Sequence, residues 1–387
     1  MEFFKPGIRI NFLRLAKPLV SASIVVVLAS WALVATKGLN FGIDFAGGTE
    51  VLLAFNEPTD VGELRETIEE TGLELPEVVT YGLTDEGRYF VRSRTQSLLS
   101  DAEKKKIKDG VLAKYGEKEI TMYDDADESG EVVRVKFTGP KSKADLAEIL
   151  KGAGFDDGTV STASIANNPV YMLRVPGVGP RIVKLMKQKY GDKFRAIDRL
   201  ESVGSAVGKQ MRNQGVLSVI YALIGILLYI SFRFDLRYSP GAVLALVHDV
   251  SITVGIFSLT GLEFNLPIIA ALLAIVGYSL NDTIVVYDRI RESLDLGLGD
   301  DLKDSINISV SDCLSRTVLT SVTTFLAVLA IYVYGGGIIQ NFAFAMLVGV
   351  VIGTYSSIYV ASPAVVGMDA YLKNRAEVAR LTAETQA

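Results

Sequence analysis

The chain has 387 residues, of which 49% are hydrophobic and 21% charged, with a mean hydropathy of +0.33. Apolar content on that scale beside so much charge must be concentrated in segments, which excludes a disordered chain and a simple soluble enzyme. Lys and Arg total 39 against 44 Asp and Glu, a net charge of −5 that gives no electrostatic basis for wrapping nucleic acid. With one cysteine, Cys313, and one histidine, His248, the chain can assemble neither an internal disulfide nor a Cys/His metal cage.

A bilayer core of about 30 Å needs roughly 20 apolar residues in a helix. Six stretches qualify: Pro18–Thr36, Gly215–Phe232, Pro240–Leu262, Pro267–Tyr287, Thr317–Ile338 and Phe342–Val366. The first has no small-x-small cleavage site before Trp31 and is long for a signal peptide, so it reads as a span. Basic residues cluster before it (Lys5, Arg9, Arg14, Lys17), after the second span (Arg233, Arg237), between the fourth and fifth (Arg289, Arg291, Lys303, Arg316) and in the C-terminal tail (Lys373, Arg375, Arg380). The loops near Glu263 and Gly335–Gly337 carry none, which places both termini in the cytoplasm. The expected organisation is a cytoplasmic tail (1–17), a first span (18–36), an extracytoplasmic domain (37–214), a five-helix membrane domain (215–366) and a cytoplasmic tail (367–387).

The outer domain carries an internal repeat. Phe55 and Phe137, Pro58 and Pro140, Leu64 and Leu146, and Gly72 and Gly154 are each 82 residues apart. Two related units, about 49–115 and 131–203, are therefore predicted. Their order of strand, helix, two short β-rich runs and a further helix predicts an α+β domain of the ferredoxin-like type, apparently duplicated. The acidic run Asp124–Glu128 lacks the glycine and distal glutamate of a calcium loop and reads as a solvated turn. Val175-Pro176-Gly177-Val178-Gly179-Pro180-Arg181 has the form of a helix-hairpin-helix turn, but on the far side of the membrane from any chromosome it reads as a helix-capping turn, without nucleic acid as a partner.

Carboxylates inside spans are costly, and each is a functional candidate by default. Asp249, beside His248, lies about ten residues into the third span, and Asp282, beside Asn281, about five residues from the cytoplasmic end of the fourth. At 1.5 Å per residue these depths are roughly 13 and 8 Å, so the two can share one polar layer. Arg316, Thr320 and Thr324 form a stripe at helical spacing in the fifth span, with Arg316 as the natural counter-ion. The alternative is that Arg316 snorkels to the interface and the hydroxyls bond back to their own helix. Gly349, Gly353, Ser356 and Ser357, with Gly225 in the second span, read as helix-packing positions.

Several segments resemble the SecF family of bacterial protein-export subunits: Phe41–Gly48 (FGIDFAGG), Val247–Val250 (VHDV), Gly277–Glu292 (GYSLNDTIVVYDRIRE), Leu314–Thr317 (LSRT) and Ser356–Ala361 (SSIYVA). The resemblance implies half of an RND-type transporter fold and a non-enzymatic role in the cytoplasmic membrane. It implies SecD, the SecYEG channel, accessory subunits such as YajC and YidC, and a translocating preprotein as partners. It also implies a proton, or a sodium ion, as coupling ion and no bound cofactor or metal. Within the family's pattern Asp282 and Arg316 fall on the positions linked to proton movement. Asp249 falls on a further characteristic position, with His248, Asn281, Thr320 and Thr324 as secondary candidates, and Gly42, Asp44, Gly47 and Gly48 form the motif after the first span. The outer domain is about twice the size usual for the family. A proton-driven exporter of small molecules or lipids, working as a homodimer, and a passive scaffold are the competing readings.

Overall fold

The computed structural model describes residues 9–70, 76–81, 87–93, 101–124, 132–165, 168–175, 178–235 and 237–386. The chain divides into two compact units, Met1–Asn40 with Gln214–Ala387, and Phe41–Asn213. Most of the acidic run, residues 125–128, together with Gly72, Pro176 and Gly177, lies outside the described residues.

The first unit holds six helices long and apolar enough to cross a membrane. They are α1 (Ala16–Thr36), α7 (Ser205–Arg233), α8 (Ser239–Thr260), α9 (Leu266–Asp295), α10 (Leu302–Tyr334) and a sixth made of α11 (Gly337–Ser356), a π-helical turn (Ser357–Ala361) and α12 (Ser362–Gln386). Local chemistry sets their ends. Pro240 and Pro267 open α8 and α9, Gly261 closes α8 at φ 72°, and Asp301 caps α10 by accepting from the Asp304 N–H at 2.8 Å. Several helices outrun the apolar stretches. α9 continues past Tyr287, α10 starts fifteen residues before Thr317, and the added turns are locked by Arg289, whose Nε donates to Asp312 at 3.0 Å. α8 and α9 bury half or more of their apolar windows, whereas α1, α7 and α10 bury 11%. Asp249 and Asp282 lie on these two buried helices. Gly225, expected at a helix contact, has nothing within 4 Å of where a Cβ would stand, because the face of α7 that carries it is unpacked.

The second unit contains α2 (Ile43–Ala46), α3 (Val61–Glu69), α4 (Asp101–Tyr115), α5 (Lys143–Gly152) and α6 (Val178–Tyr190). Its strands are β2 (Gly48–Phe55), β3 (Glu77–Thr80), β4 (Arg88–Ser93), β5 (Ile120–Asp124), β6 (Val132–Phe137), β7 (Thr159–Ile165), β8 (Asn168–Arg174) and β9 (Phe194–Val203); the two-residue strands β1 (Asn40–Phe41) and β10 (Glu263–Phe264), the latter in the first unit, belong to neither of its sheets. The longer strands form two antiparallel sheets, β3-β4-β2-β9 and β5-β6-β8-β7.

These sheets do not follow the sequence repeat. Elements are combined across the predicted units: α6 and β9 of the second complete the first sheet, while α4 of the first and β5, which follows it beyond the predicted range, complete the second. One core accordingly joins Val51, Leu53 and Phe55 to Ile182, Met186 and Phe194, and the other joins Val133, Val135 and Phe137 to Ile107 and Val111. One pair of local contacts recurs at the 82-residue spacing. Tyr89 Oη accepts from the Thr59 N–H at 2.6 Å and donates to the Thr59 carbonyl at 2.7 Å; Tyr171 does the same to Lys141, 82 residues on, at 2.6 and 2.9 Å.

Candidate functional site

In the helical unit α8 is apolar on nearly every face and packs against α1, α9 and α11, which leaves Asp249 fully buried inside the bundle. A carboxylate in that position survives only if its oxygens are satisfied. Ser279 Oγ of α9 donates to Asp249 Oδ2 at 2.5 Å and Ser356 Oγ of α11 donates to the same oxygen at 2.8 Å. His248 Nδ1 lies 2.9 Å from Oδ1. Three helices therefore meet on one carboxylate. The small residues on α11 make this possible: a Cβ at Gly353 would stand 3.0 Å from Ser279 Cβ, so glycine there lets α11 approach α9 closely enough for both serines to reach Asp249.

The network extends to α1. The His248 ring stacks on Tyr355 at 5.9 Å between centroids, and Tyr355 Oη lies 2.9 Å from Ser23 Oγ and donates to the Leu19 carbonyl at 3.0 Å. His248 Nε2 is buried without a hydrogen-bond partner among the described residues. Just past Ser356 comes the π-helical turn, whose last carbonyl, Ala361 O, accepts from Tyr287 Oη of α9 at 3.1 Å. π-Helical turns are frequent at functional sites because they break the repeat of side-chain directions. Here the break falls between Ser356, facing Asp249, and Ser362, which bonds Ser357 O at 2.9 Å.

Asp282 lies on the same buried face of α9, one turn beyond Ser279, so Ser279 connects the two carboxylate levels. It is 4% exposed, and its Oδ2 has no hydrogen-bond partner among the described residues. Arg316 of α10 is not within ion-pair distance of it: Arg316 is exposed and, among the described residues, its guanidinium forms neither hydrogen bond nor ion pair. Thr320 donates to the carbonyls of Arg316 and Thr317 at 3.0 Å, so this hydroxyl bonds back to its own helix. Asn281 is exposed on the opposite face of α9, away from Asp282, and Thr324 is half-buried. The structure thus collects Asp249, His248 and Asp282 on the interior faces of α8 and α9 and leaves Asn281 outside.

Ser279, Ser356 and Tyr355 are the members of this polar cluster that sequence reasoning missed. Ser356 was expected only to let helices approach; it does so and bonds the carboxylate as well. The available signal was the run Gly349, Gly353, Ser356, which keeps helical spacing and ends in a hydroxyl.

In the second unit, Gly42 precedes the one-turn helix α2, which holds Asp44 in its first turn. Gly47 and Gly48 follow at φ 77° and 133°, conformations closed to residues with a Cβ, and redirect the chain into β2. Two residues further on, Glu50 is buried and its Oε1 accepts from Arg92 Nε at 2.8 Å. Burial raises the Glu50 pKa; Arg92 opposes this, while the negative charges of Asp44 and Glu201 reinforce it.

Residues 182–370 match the family described as protein export membrane protein SecD/SecF, C-terminal, and residues 32–59 match the SecD/SecF GG motif. The first range contains Asp249, Asp282, Arg316 and Ser356, and the second contains Gly42 to Gly48. A protein translocase subunit SecF from Magnetococcus marinus is 37% identical over 99% of this chain and 99% of its own length. One from Desulfurispirillum indicum is 36% identical over 91% and 90%. The crystal structure of SecDF, a translocon-associated membrane protein from Thermus thermophilus, aligns with a TM-score of 0.61 and 30% identity over 95% of this chain, which spans 40% of that longer chain. Matched end to end by relatives at this identity, with both polar clusters inside the matched ranges, the chain belongs to the SecF family of protein translocase subunits.

Proposed function

We propose that the chain works with SecD beside the SecYEG channel, and that proton flow down the transmembrane potential through the Asp282–Arg316 region drives late steps of preprotein translocation. In this reading both termini are cytoplasmic and the α+β unit is periplasmic. The observation that carries it is Asp282: a buried carboxylate with an unsatisfied oxygen, and with its cationic partner nearby but not engaged. Such a group has two stable arrangements, protonated with Arg316 apart or ionised with Arg316 docked. Interconversion changes how α9 and α10 pack. One proton crossing 100 mV supplies about 2.3 kcal/mol, enough to shift a two-state equilibrium roughly fifty-fold. The Asp249 carboxylate, both of whose oxygens are engaged by Ser279, Ser356 and His248, is the fixed element against which that change is made.

The test uses vesicles containing this chain, SecD and SecYEG, with a secretory preprotein and an imposed gradient. Asp282→Asn keeps the size and removes the titration. Loss of gradient-stimulated translocation supports the assignment; normal stimulation removes it. A sodium gradient in place of the proton gradient identifies the coupling ion, and purification of a homodimer without SecD would favour an exporter.

A further inference from the structure

The two sheets of the outer unit leave four edge strands: β3 and β9 on one, β5 and β7 on the other. A free row of N–H and C=O groups is a template for another chain, and sheets blunt it with short strands, bulges or charge. Three of these edges do so. β3 is four residues long, and its Glu77 lies 3.7 Å from Arg92. β9 loses register twice against β2 and carries the ion pairs Arg195–Asp198 at 3.4 Å and Arg199–Glu201 at 2.6 Å. β5 shifts register between Ile120 and Met122 and pairs Asp124 with Arg134 at 3.8 Å.

β7 has none of these protections. Its seven residues, TVSTASI, contain no charge and no proline, and its register with β8 is unbroken from Thr159 opposite Arg174 to Ile165 opposite Asn168. Thr159, Ser161 and Thr162 are exposed, and among the described residues its main chain pairs with β8 alone. The repeat makes the contrast internal: β7 occupies the place of β3, and Thr159 stands 82 residues after Glu77. One copy keeps a short edge with a carboxylate; the other is longer and bare.

We propose that the free edge of β7 is a docking site for an extended, unfolded polypeptide, which adds to the sheet as a further strand through main-chain hydrogen bonds. What the edge offers is backbone flanked by small hydroxyl side chains, so it sets almost no sequence requirement. An occupant recognised in this way has a backbone in common from one molecule to the next and little else. A translocating preprotein has that character, and to this extent the inference rests on the transport reading above.

The first test is hydrogen exchange on the full chain in nanodiscs, with a saturating uncharged peptide of Thr, Val and Gln. Exchange in 159–165 slows at least about tenfold while β3 is unchanged, and a peptide N-methylated at alternate residues has no effect. No protection, equal protection by the N-methylated peptide, or protection that tracks self-association of the chain without peptide overturns the proposal. The second test places Ser161→Cys in a Cys313→Ser background, with Val79→Cys on β3 as control, and photo-crosslinks to an arrested preprotein in the vesicles described above. Crosslinking at 161 but not 79 is expected, and it persists when Asp282→Asn abolishes gradient stimulation. Its absence while Asp282-dependent stimulation is intact overturns this inference and leaves the transport reading standing.

Discussion

Tyr115 packs edge-on against Phe137 at 5.0 Å, not against Phe55 of its own repeat, whose corresponding partner is Tyr190 at 5.3 Å. Each phenylalanine also meets the tyrosine of its own repeat's clasp, Tyr89 at 5.5 Å and Tyr171 at 5.6 Å. Each core is therefore built half from one repeat and half from the other. A chain cut after residue 124 would lose α6 and β9 and leave β2 as an unsatisfied edge. A fragment covering the first repeat alone is expected to show no slow-exchanging amides, while fragments of the two repeats mixed together recover them. In the full chain, Phe55→Ala removes ring contacts from both repeats. It is expected to cost about 3–5 kcal/mol, read as faster exchange in α6 and β9 as well as β2.

The Glu50–Arg92 pair gives the outer unit a pH dependence of known sign. The Glu50 pKa is raised by burial, so the folded state holds its proton more tightly than the unfolded chain does. The stabilisation is complete below the ordinary glutamate value of about 4.3 and is lost as pH rises through the folded value. Amide protection in β2 and β4, corrected for intrinsic exchange, should fall across that window in the full chain, and Glu50→Gln should flatten the step.

At Asp249 two serines share one oxygen, and their loss is not interchangeable with loss of the acid. Ser279→Ala or Ser356→Ala strands part of a buried carboxylate and is expected to cost about 1–3 kcal/mol each in detergent unfolding. Because both bonds end on the same oxygen, the double variant should depart from additivity. Asp249→Asn keeps an amide oxygen that can accept from both serines and should be milder than the double serine variant. An Asn variant as damaging as the double serine variant would show that charge, not hydrogen bonding, holds the junction.

The membrane helices and both buried aspartates were legible because hydropathy reports local burial directly. The exchange of α4–β5 for α6–β9 was not, since Phe55 and Phe137 are equivalent in sequence and nothing local says which tyrosine each will meet. Nor does helical spacing tell a hydroxyl that fills a helix contact from one that also bonds a charge: Ser356 and Ser321 look alike in sequence. Yet Ser356 reaches Asp249, while Ser321 Oγ lies 2.6 Å from Thr354 Oγ1. The Asp282–Arg316 pairing was expected as a contact and is found as a separation, a distinction that depends on side-chain conformation and is invisible to spacing.

That separation makes Arg316 and Arg237 a contrasting pair. Arg237 Nη2 lies 3.1 Å from Asp369, a buried carboxylate that also takes Lys373 at 2.9 Å, so it contributes to the folded state. Arg316 makes no such bond, and Arg316→Gln should change unfolding by less than about 0.5 kcal/mol. If Arg316 is needed only when Asp282 ionises, that same substitution abolishes gradient-stimulated translocation, whereas Arg237→Gln lowers stability by about 1.5–3 kcal/mol and leaves stimulation intact. Arg316→Lys keeps the charge but not the planar fork and is expected to retain part of the stimulation. A stability loss at Arg316 comparable to that at Arg237 would mean that it is a structural cation, and the two-position switch would then have no moving part.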